Sequence, residues 1–249
     1  YPPISMERRL PIIDFEKDGV GGCAVSPEIS PLERRKSIRK KLPKWFKTSL
    51  PTGTSQARFN GTKRNVVAHG LNTVCEEARC PNVHDCWGRG TATFMIAGEV
   101  CTRGCRFCAV GTTRTPPDLN QEEPIELAYA VKNMGLSYAV ITVVNRDDLS
   151  DGGASHYKKC IEHVAETNPE VGLELLCSDL DGNLKSLEML LKGLPLRVFA
   201  HNVECVSRLD SVVRDPRASF GQSLNVLRAA KEIRPEIMTK TSLMVGLGE

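Results

Sequence analysis

Six of the chain's ten cysteines fall between Cys75 and Cys108, and this crowding limits the possible folds more than any other feature of the sequence. They form two triplets. Cys75, Cys80 and Cys86 are spaced x4 and x5, and Cys101, Cys105 and Cys108 are spaced x3 and x2, directly after an apolar stretch that ends near Val100. Cys23, Cys160, Cys177 and Cys205 stand apart without metal-ligand spacing and read as ordinary buried or surface thiols. A secreted disulfide scaffold is short and loop-rich, whereas this chain has 249 residues, periodic helices and no secretory apolar segment. Crowded thiols in such a chain point to a reducing compartment and to metal ligation.

Three thiolates on one small loop can ligate three corners of a cubic [4Fe–4S] cluster and leave its fourth iron open to a small molecule. Structural zinc is the alternative for Cys101, Cys105 and Cys108. It normally takes four protein ligands, often as paired C-x2-C knuckles, and no fourth partner is obvious near this loop.

From Thr91 onward the pattern alternates strand and helix, the mark of parallel β/α units. Strand candidates are Thr93–Val100, Tyr138–Val144, Gly172–Cys177, Leu196–Ala200 and Ile237–Val245. Between them, Leu127, Val131 and Met134 recur at helical spacing, as do Tyr157, Ile161 and Val164, then Leu184, Leu187 and Leu191, then Val226, Ala230 and Ile233. Five strands with right-handed helical crossovers predict a barrel-like or a doubly wound α/β fold, and periodicity does not choose between them.

A net charge of +3 and 5% aromatic residues give no reason to expect nucleic acid as a partner. No stretch reaches the roughly 18 apolar residues of a membrane span, so no membrane is expected either. Residues 1–50 read as an extended arm. Within it, eight of the fourteen positions from Arg34 to Lys47 are Lys or Arg, a solvated face or a docking surface for an acidic protein. Acids at Glu7, Asp14, Glu16 and Asp18 argue against an organelle transit peptide, although a presequence already removed would leave no trace.

The triplets also carry a resemblance. C-x3-C-x2-C after the first strand of a β/α domain, with Phe107 before its last cysteine, resembles the radical S-adenosylmethionine superfamily. VCEEARCPNVHDCW, which places the C-x4-C-x5-C triplet just upstream, resembles one family in particular, the lipoyl synthases. KLPKWFKTSLPTG, TATFMIAGEVCTRGC, ITVVNRDDLSDGGA, FAHNVECVSRL and KTSLMVGLGE extend the likeness from about Lys41 to Glu249.

That resemblance implies a partial parallel (β/α)6 barrel over 93–249, with five strands visible, preceded by an auxiliary-cluster segment at 51–92. It implies two [4Fe–4S] clusters and S-adenosylmethionine. The cluster on Cys101, Cys105 and Cys108 would cleave the cofactor to a 5′-deoxyadenosyl radical, and the cluster on Cys75, Cys80 and Cys86 would be dismantled to supply sulfur. The activity implied is insertion of two sulfur atoms at C6 and C8 of a protein-bound octanoyl group. Its partners would be octanoylated lipoyl carrier domains (2-oxoacid dehydrogenase E2 subunits, glycine cleavage H protein) and a reducing electron donor, in the cytoplasm, or in a mitochondrion or plastid if a presequence was removed. The alternatives are another sulfur-inserting radical enzyme and a non-catalytic metal-binding module.

Asn145, Arg146, Asp147 and Asp148 follow the second strand at the carboxyl-end rim, where β/α barrels assemble their sites. They are expected to meet the cofactor's methionyl end or the substrate; a solvated turn with a helix cap is the plainer reading. His201 and Asn202, at the end of the fourth strand, are more simply structural. Ser242 stands where the superfamily's adenine-side motif usually has glycine. In lipoyl synthases a serine of a C-terminal Arg-Ser-Ser-Tyr motif completes the auxiliary cluster, and no such motif occurs in these 249 residues, so the reading frame is expected to continue past Glu249.

Overall fold

The computed structural model describes residues 52–69, 73–77 and 80–249. The whole arm, with its basic run and Cys23, therefore lies outside the described residues. Residues 52–245 belong to one compact unit, and Gly246–Glu249 group apart from it.

Seven strands and eight α-helices make up the described part: α1 Gly53–His69, α2 Val74–Glu77, α3 Val83–Gly88, β1 Thr91–Ile96, β2 Val100–Cys101, β3 Gly111–Thr112, α4 Glu123–Asn133, β4 Tyr138–Val143, α5 Ala154–Thr167, β5 Gly172–Leu176, α6 Leu184–Leu191, β6 Val198–Ala200, α7 Asp210–Val213, α8 Phe220–Ile233 and β7 Met238–Lys240. Five strands form one parallel sheet in the order β1-β4-β5-β6-β7, and β2 pairs with β3 in a small parallel ribbon. The sheet order never reverses. A doubly wound sheet changes direction at a switch point, which puts helices on both faces. Here each right-handed crossover adds the next strand on the same side, and α4, α5, α6 and α8 pack in succession over one face. An order that never reverses, with its helices packed in succession, is that of a partial barrel, and this decides the question that periodicity left open.

Strand alternation divides the two faces. In β1 and β4, Ala92, Phe94, Ile96, Ala139 and Ile141 are buried, in alternation with half-buried neighbours. Along the helices Val131, Tyr157, Ile161, Leu187, Leu191 and Ala230 are almost wholly buried. Each large aliphatic chain buried in this way contributes about 1.5–3 kcal/mol. The Asn183 side chain starts α6 by accepting from the amides of Lys185 and Ser186, and Ser219 starts α8 by accepting from Gln222, each cap worth about 1 kcal/mol.

Several expected boundaries shift. β1 stops at Ile96 because Ala97 and Gly98 take φ of +70° and +101°, which breaks the extended run anticipated to Val100. β7 ends at Lys240 rather than Val245, since the Val203 amide donates to the Thr241 hydroxyl at 3.1 Å instead of continuing the ladder. Leu184 opens α6 at 54% exposure, so the buried stripe is Leu187, Leu190 and Leu191. α1 was not anticipated. It buries Phe59, Thr62 and Val66, positions three and four apart, and stacks Phe59 on His84 and Trp87 at centroid distances of 4.6 and 5.8 Å.

Candidate functional site

The second cysteine triplet opens onto a cavity of about 260 Å³ at the carboxyl ends of the sheet strands. Cys101, Cys105 and Cys108 line it together with Met95 and Thr142 from the strands and Asn145 from the loop after β4. This is the end of the sheet at which β/α barrels place their chemistry. None of the nine described cysteines is paired.

Backbone amides address the sulfurs. The Cys101 Sγ accepts from the amides of Arg103 (3.4 Å) and Asn145 (3.3 Å), and the Cys105 Sγ accepts from the amide of Asp215 (3.4 Å). Burial pushes the Cys105 thiol up, against the lowering pull of that amide and of Arg214. Metal ligation would offset the burial, because a coordinating thiol loses its proton outright.

The loop between these cysteines is anchored by ions. Arg103 is 2% exposed in its side chain and spans two carboxylates, Asp147 at 2.7 Å and Asp179 at 2.7 Å. Gln222 also donates to Asp179 at 2.7 Å. The Thr102 hydroxyl donates to Asp147 at 2.6 Å and accepts from the Asp147 amide at 3.1 Å. The Asp215 carboxylate takes the Gly104 amide at 2.9 Å, and Arg217, bonded to it, holds its carboxyl well below the usual carboxylate range.

The four residues expected at the rim separate. Asn145 lines the cavity. Asp147 serves Arg103, Arg217 and Thr102. Arg146 and Asp148 pair bidentately at 2.9 and 2.8 Å, and Arg146 also donates to the carbonyls of Ala97 and Pro117. The Ala97 amide donates to Glu123 at 2.9 Å, so the strained turn leading to Cys101 is held from both sides. Glu123, His156 and Cys160 have potential ligand atoms within 4.8 Å of one another, but Glu123 already bonds His156 at 2.5 Å and the Ala97 amide.

Two cavity residues have a determined state. His201 donates from Nδ1 to the Cys177 carbonyl (2.8 Å) and accepts at Nε2 from the Ser223 hydroxyl (2.9 Å), and burial keeps its pKa below the ordinary value. Ser223 in turn accepts from Arg214 Nη2 at 3.0 Å. Arg214 Nη1 is buried, has no hydrogen-bond partner, and lies 3.7 Å from Asp210. A buried guanidinium on the wall of a cavity that also holds three thiols suits an anionic group on a cluster-bound molecule. The residues of this cavity therefore fit a three-thiolate cluster with an open iron.

The first triplet gathers in the segment before β1. The Cys80 amide donates to the Cys75 carbonyl at 3.1 Å, and α3 brings Cys86 back one turn later. Burial first, then Cys75 and Asp85 nearby, push the Cys86 thiol up against the pull of Arg89. Two buried donors with no partner among the described residues, the Thr73 hydroxyl and the Trp87 indole N–H, stand in sequence beside Cys75 and Cys86. Three thiols and spare donors fit a second sulfur-rich group.

The model of the radical SAM superfamily matches residues 95–249, and that of the N-terminal domain of lipoyl synthase matches residues 26–80. The mitochondrial lipoyl synthase of Leishmania braziliensis is 44% identical over 268 residues, an alignment that covers all of this chain and 70% of that one. This chain belongs to the lipoyl synthase family. The mitochondrial lipoyl synthase of Bos taurus is 50% identical over 224 residues, covering 88% of this chain and 59% of the relative, so the chain spans about three-fifths of that protein's length. Among solved structures, the FeFe-hydrogenase maturase HydG of Carboxydothermus hydrogenoformans superposes with a TM-score of 0.53 at 17% identity, covering 78% of this chain and 49% of that one, a likeness of fold. The lipoyl synthase match begins at residue 26, inside the arm that the motifs place outside the resemblance.

Arg103, Asp179, Asp215 and Arg217 escaped the sequence reading. Apart from the Asp215–Arg217 bond itself, the partners that tie them to the cysteine loop lie 44 to 115 residues away, and no local spacing signals such a pair.

Proposed function

We propose that this chain is the radical-generating and sulfur-donating part of a lipoyl synthase, which inserts two sulfur atoms at C6 and C8 of an octanoyl group carried on a lipoyl domain. One observation carries the reading: in a chain of this family, three thiols and the buried Arg214 line one cavity at the carboxyl ends of a parallel sheet. Cys101, Cys105 and Cys108 would hold one [4Fe–4S] cluster, and Cys75, Cys80 and Cys86 a second. When bound, the clusters and S-adenosylmethionine supply hydrogen-abstracting radical chemistry and sulfur.

The remaining work belongs to this chain's own residues. Arg214, on the wall of the cavity, would hold the carboxylate of the sulfonium cofactor, and Asn145 lines the same cavity. His201, kept neutral and fixed in its Nδ1–H tautomer, orients Ser223, which in turn steadies Arg214. Met95 and Thr142 line the cavity from the strands and limit water around the reacting groups. The carrier protein must approach this open end, and a reducing donor must reach the thiol loop at the exposed Cys108. We also propose the mitochondrion as its compartment, on the names of the relatives; the cytoplasmic expectation finds no support in them.

The test divides the triplets. With octanoylated carrier protein and S-adenosylmethionine, Cys105→Ala abolishes 5′-deoxyadenosine. Cys80→Ala leaves 5′-deoxyadenosine detectable while lipoyl product disappears. Equal loss of 5′-deoxyadenosine in both variants contradicts the division of labour, and zinc as the native metal contradicts the function.

A further inference from the structure

Arg217 is joined to the second cysteine loop at more points than any function above assigns to it. Its Nη2 donates to the Thr102 carbonyl at 2.6 Å, its Nη1 to Asp147 at 3.1 Å, and its Nε to Asp215 at 2.9 Å. Asp215 then grips the loop twice. Its carboxylate accepts the Gly104 amide at 2.9 Å, and its own amide donates to the Cys105 Sγ at 3.4 Å. One residue beyond Cys105, the Arg106 amide bonds the Val213 carbonyl at 3.0 Å, so residues 213–217 hold residues 102–106 along their length.

We propose that Arg217 is a positioning residue that fixes the Asp215 amide against the Cys105 sulfur and thereby raises the reduction potential of the cluster on Cys101, Cys105 and Cys108. This rests on the reading that those cysteines hold a cluster. An N–H···S bond draws charge off a thiolate and favours the reduced cluster, and hydrogen bonds to sulfur and local charge are among the levers that set such potentials. Removing Arg217 would act in one direction through three routes. It loosens the amide from the sulfur, removes a guanidinium from beside the loop, and leaves the carboxylates of Asp215 and Asp147 with less compensation. Each makes the cluster harder to reduce.

Arg217 is 46% exposed in its side chain, and ion pairs that exposed contribute little to folding. Its loss should therefore change the potential without unfolding the chain, which separates positioning from a merely structural role. Lysine would keep the charge but lose the fork that reaches Thr102, Asp147 and Asp215 together.

The experiment uses anaerobically reconstituted protein in which Cys75, Cys80 and Cys86 are all replaced by Ala, so that one cluster remains. Iron and sulfide content and a redox titration followed by the EPR signal of the reduced cluster are compared for this reference, Arg217→Ala and Arg217→Lys. The expected result is unchanged iron and sulfide with at least a tenfold lower ratio of reduced to oxidised cluster at a fixed donor potential in Arg217→Ala, a shift of about 59 mV or more to the negative side for a one-electron couple. Arg217→Lys should lie between. If Arg217→Ala loses the cluster altogether, Arg217→Lys decides by the same criterion. A potential that is unchanged or shifted positive overturns the inference while leaving the proposed function intact. Absence of any cluster in the reference overturns both.

Discussion

Replacing Arg103 by Met tests whether the cysteine loop is held by buried charge. The Arg103 and Asp179 side chains are each 2% exposed, and Asp147 is 16% exposed. Asp147 keeps Thr102 and Arg217 when Arg103 is lost, but Asp179 keeps only Gln222 and the Asp181 amide. The loss is therefore dominated by one buried carboxylate stripped of its cation. Removing one partner of such a pair costs about 3–5 kcal/mol. For a chain of this size that corresponds to a fall of roughly 6–20 °C in melting temperature, at about 2–4 °C per kcal/mol. Denaturant unfolding of the metal-free chain measures it. Adding Asp179→Leu to Arg103→Met removes the orphaned charge and should recover at least half of the loss, because a buried ion pair replaced by apolar groups is often neutral. A loss under about 1 kcal/mol for Arg103→Met, or a double variant less stable than the single one, would refute the reasoning.

Two further outcomes follow from the same geometry. Gly153 has φ +90° and an added Cβ would sit 2.7 Å from the fully buried Tyr157 ring, so Gly153→Ala should cost about 2 kcal/mol or more; Gly135→Ala, at φ +60° with open space around it, should cost about 1, and thermal melts compare the two. Bonds from Arg217 and Arg146 lower the carboxyls of Asp215 and Asp148, so the stability they add is present above the unfolded value of about 3.9 and is lost as pH falls below it, whereas the buried His201, lowered by desolvation, withdraws stability as pH falls from about 6.5. His201→Gln should flatten the slope between about pH 4 and 6.5 and leave the acid limb, and an unchanged slope would show that His201 does not titrate on unfolding.

The parts of this molecule legible in sequence are those written in local spacing. Two of the four helical stripes proved fully buried as read, and a third, Val226, Ala230 and Ile233, is buried except for the half-buried Ile233, because 3.6-residue periodicity reports one face directly. The cysteine triplets were visible for the same reason, since each is a local run of spaced thiols. The curl of the sheet was not visible in periodicity, which records that a strand is flanked by helices but not the order in which strands pair. Nor was α1, whose polar composition hides the short row Phe59, Thr62 and Val66. The rim loop 145–148 was correctly located, yet its side chains divide between the cavity and the support of the cysteine loop. Which does which depends on Arg103, Ala97 and Arg217, residues that only the fold brings near.

The most direct measurement of the central claim is the iron and acid-labile sulfide content of the anaerobically purified and reconstituted chain, beside the variant in which Cys101, Cys105 and Cys108 are all Ala. The account predicts iron and sulfide for two cubic clusters in the first and for one in the second. Zinc without sulfide in the native chain, or undiminished iron and sulfide in the variant, would contradict it.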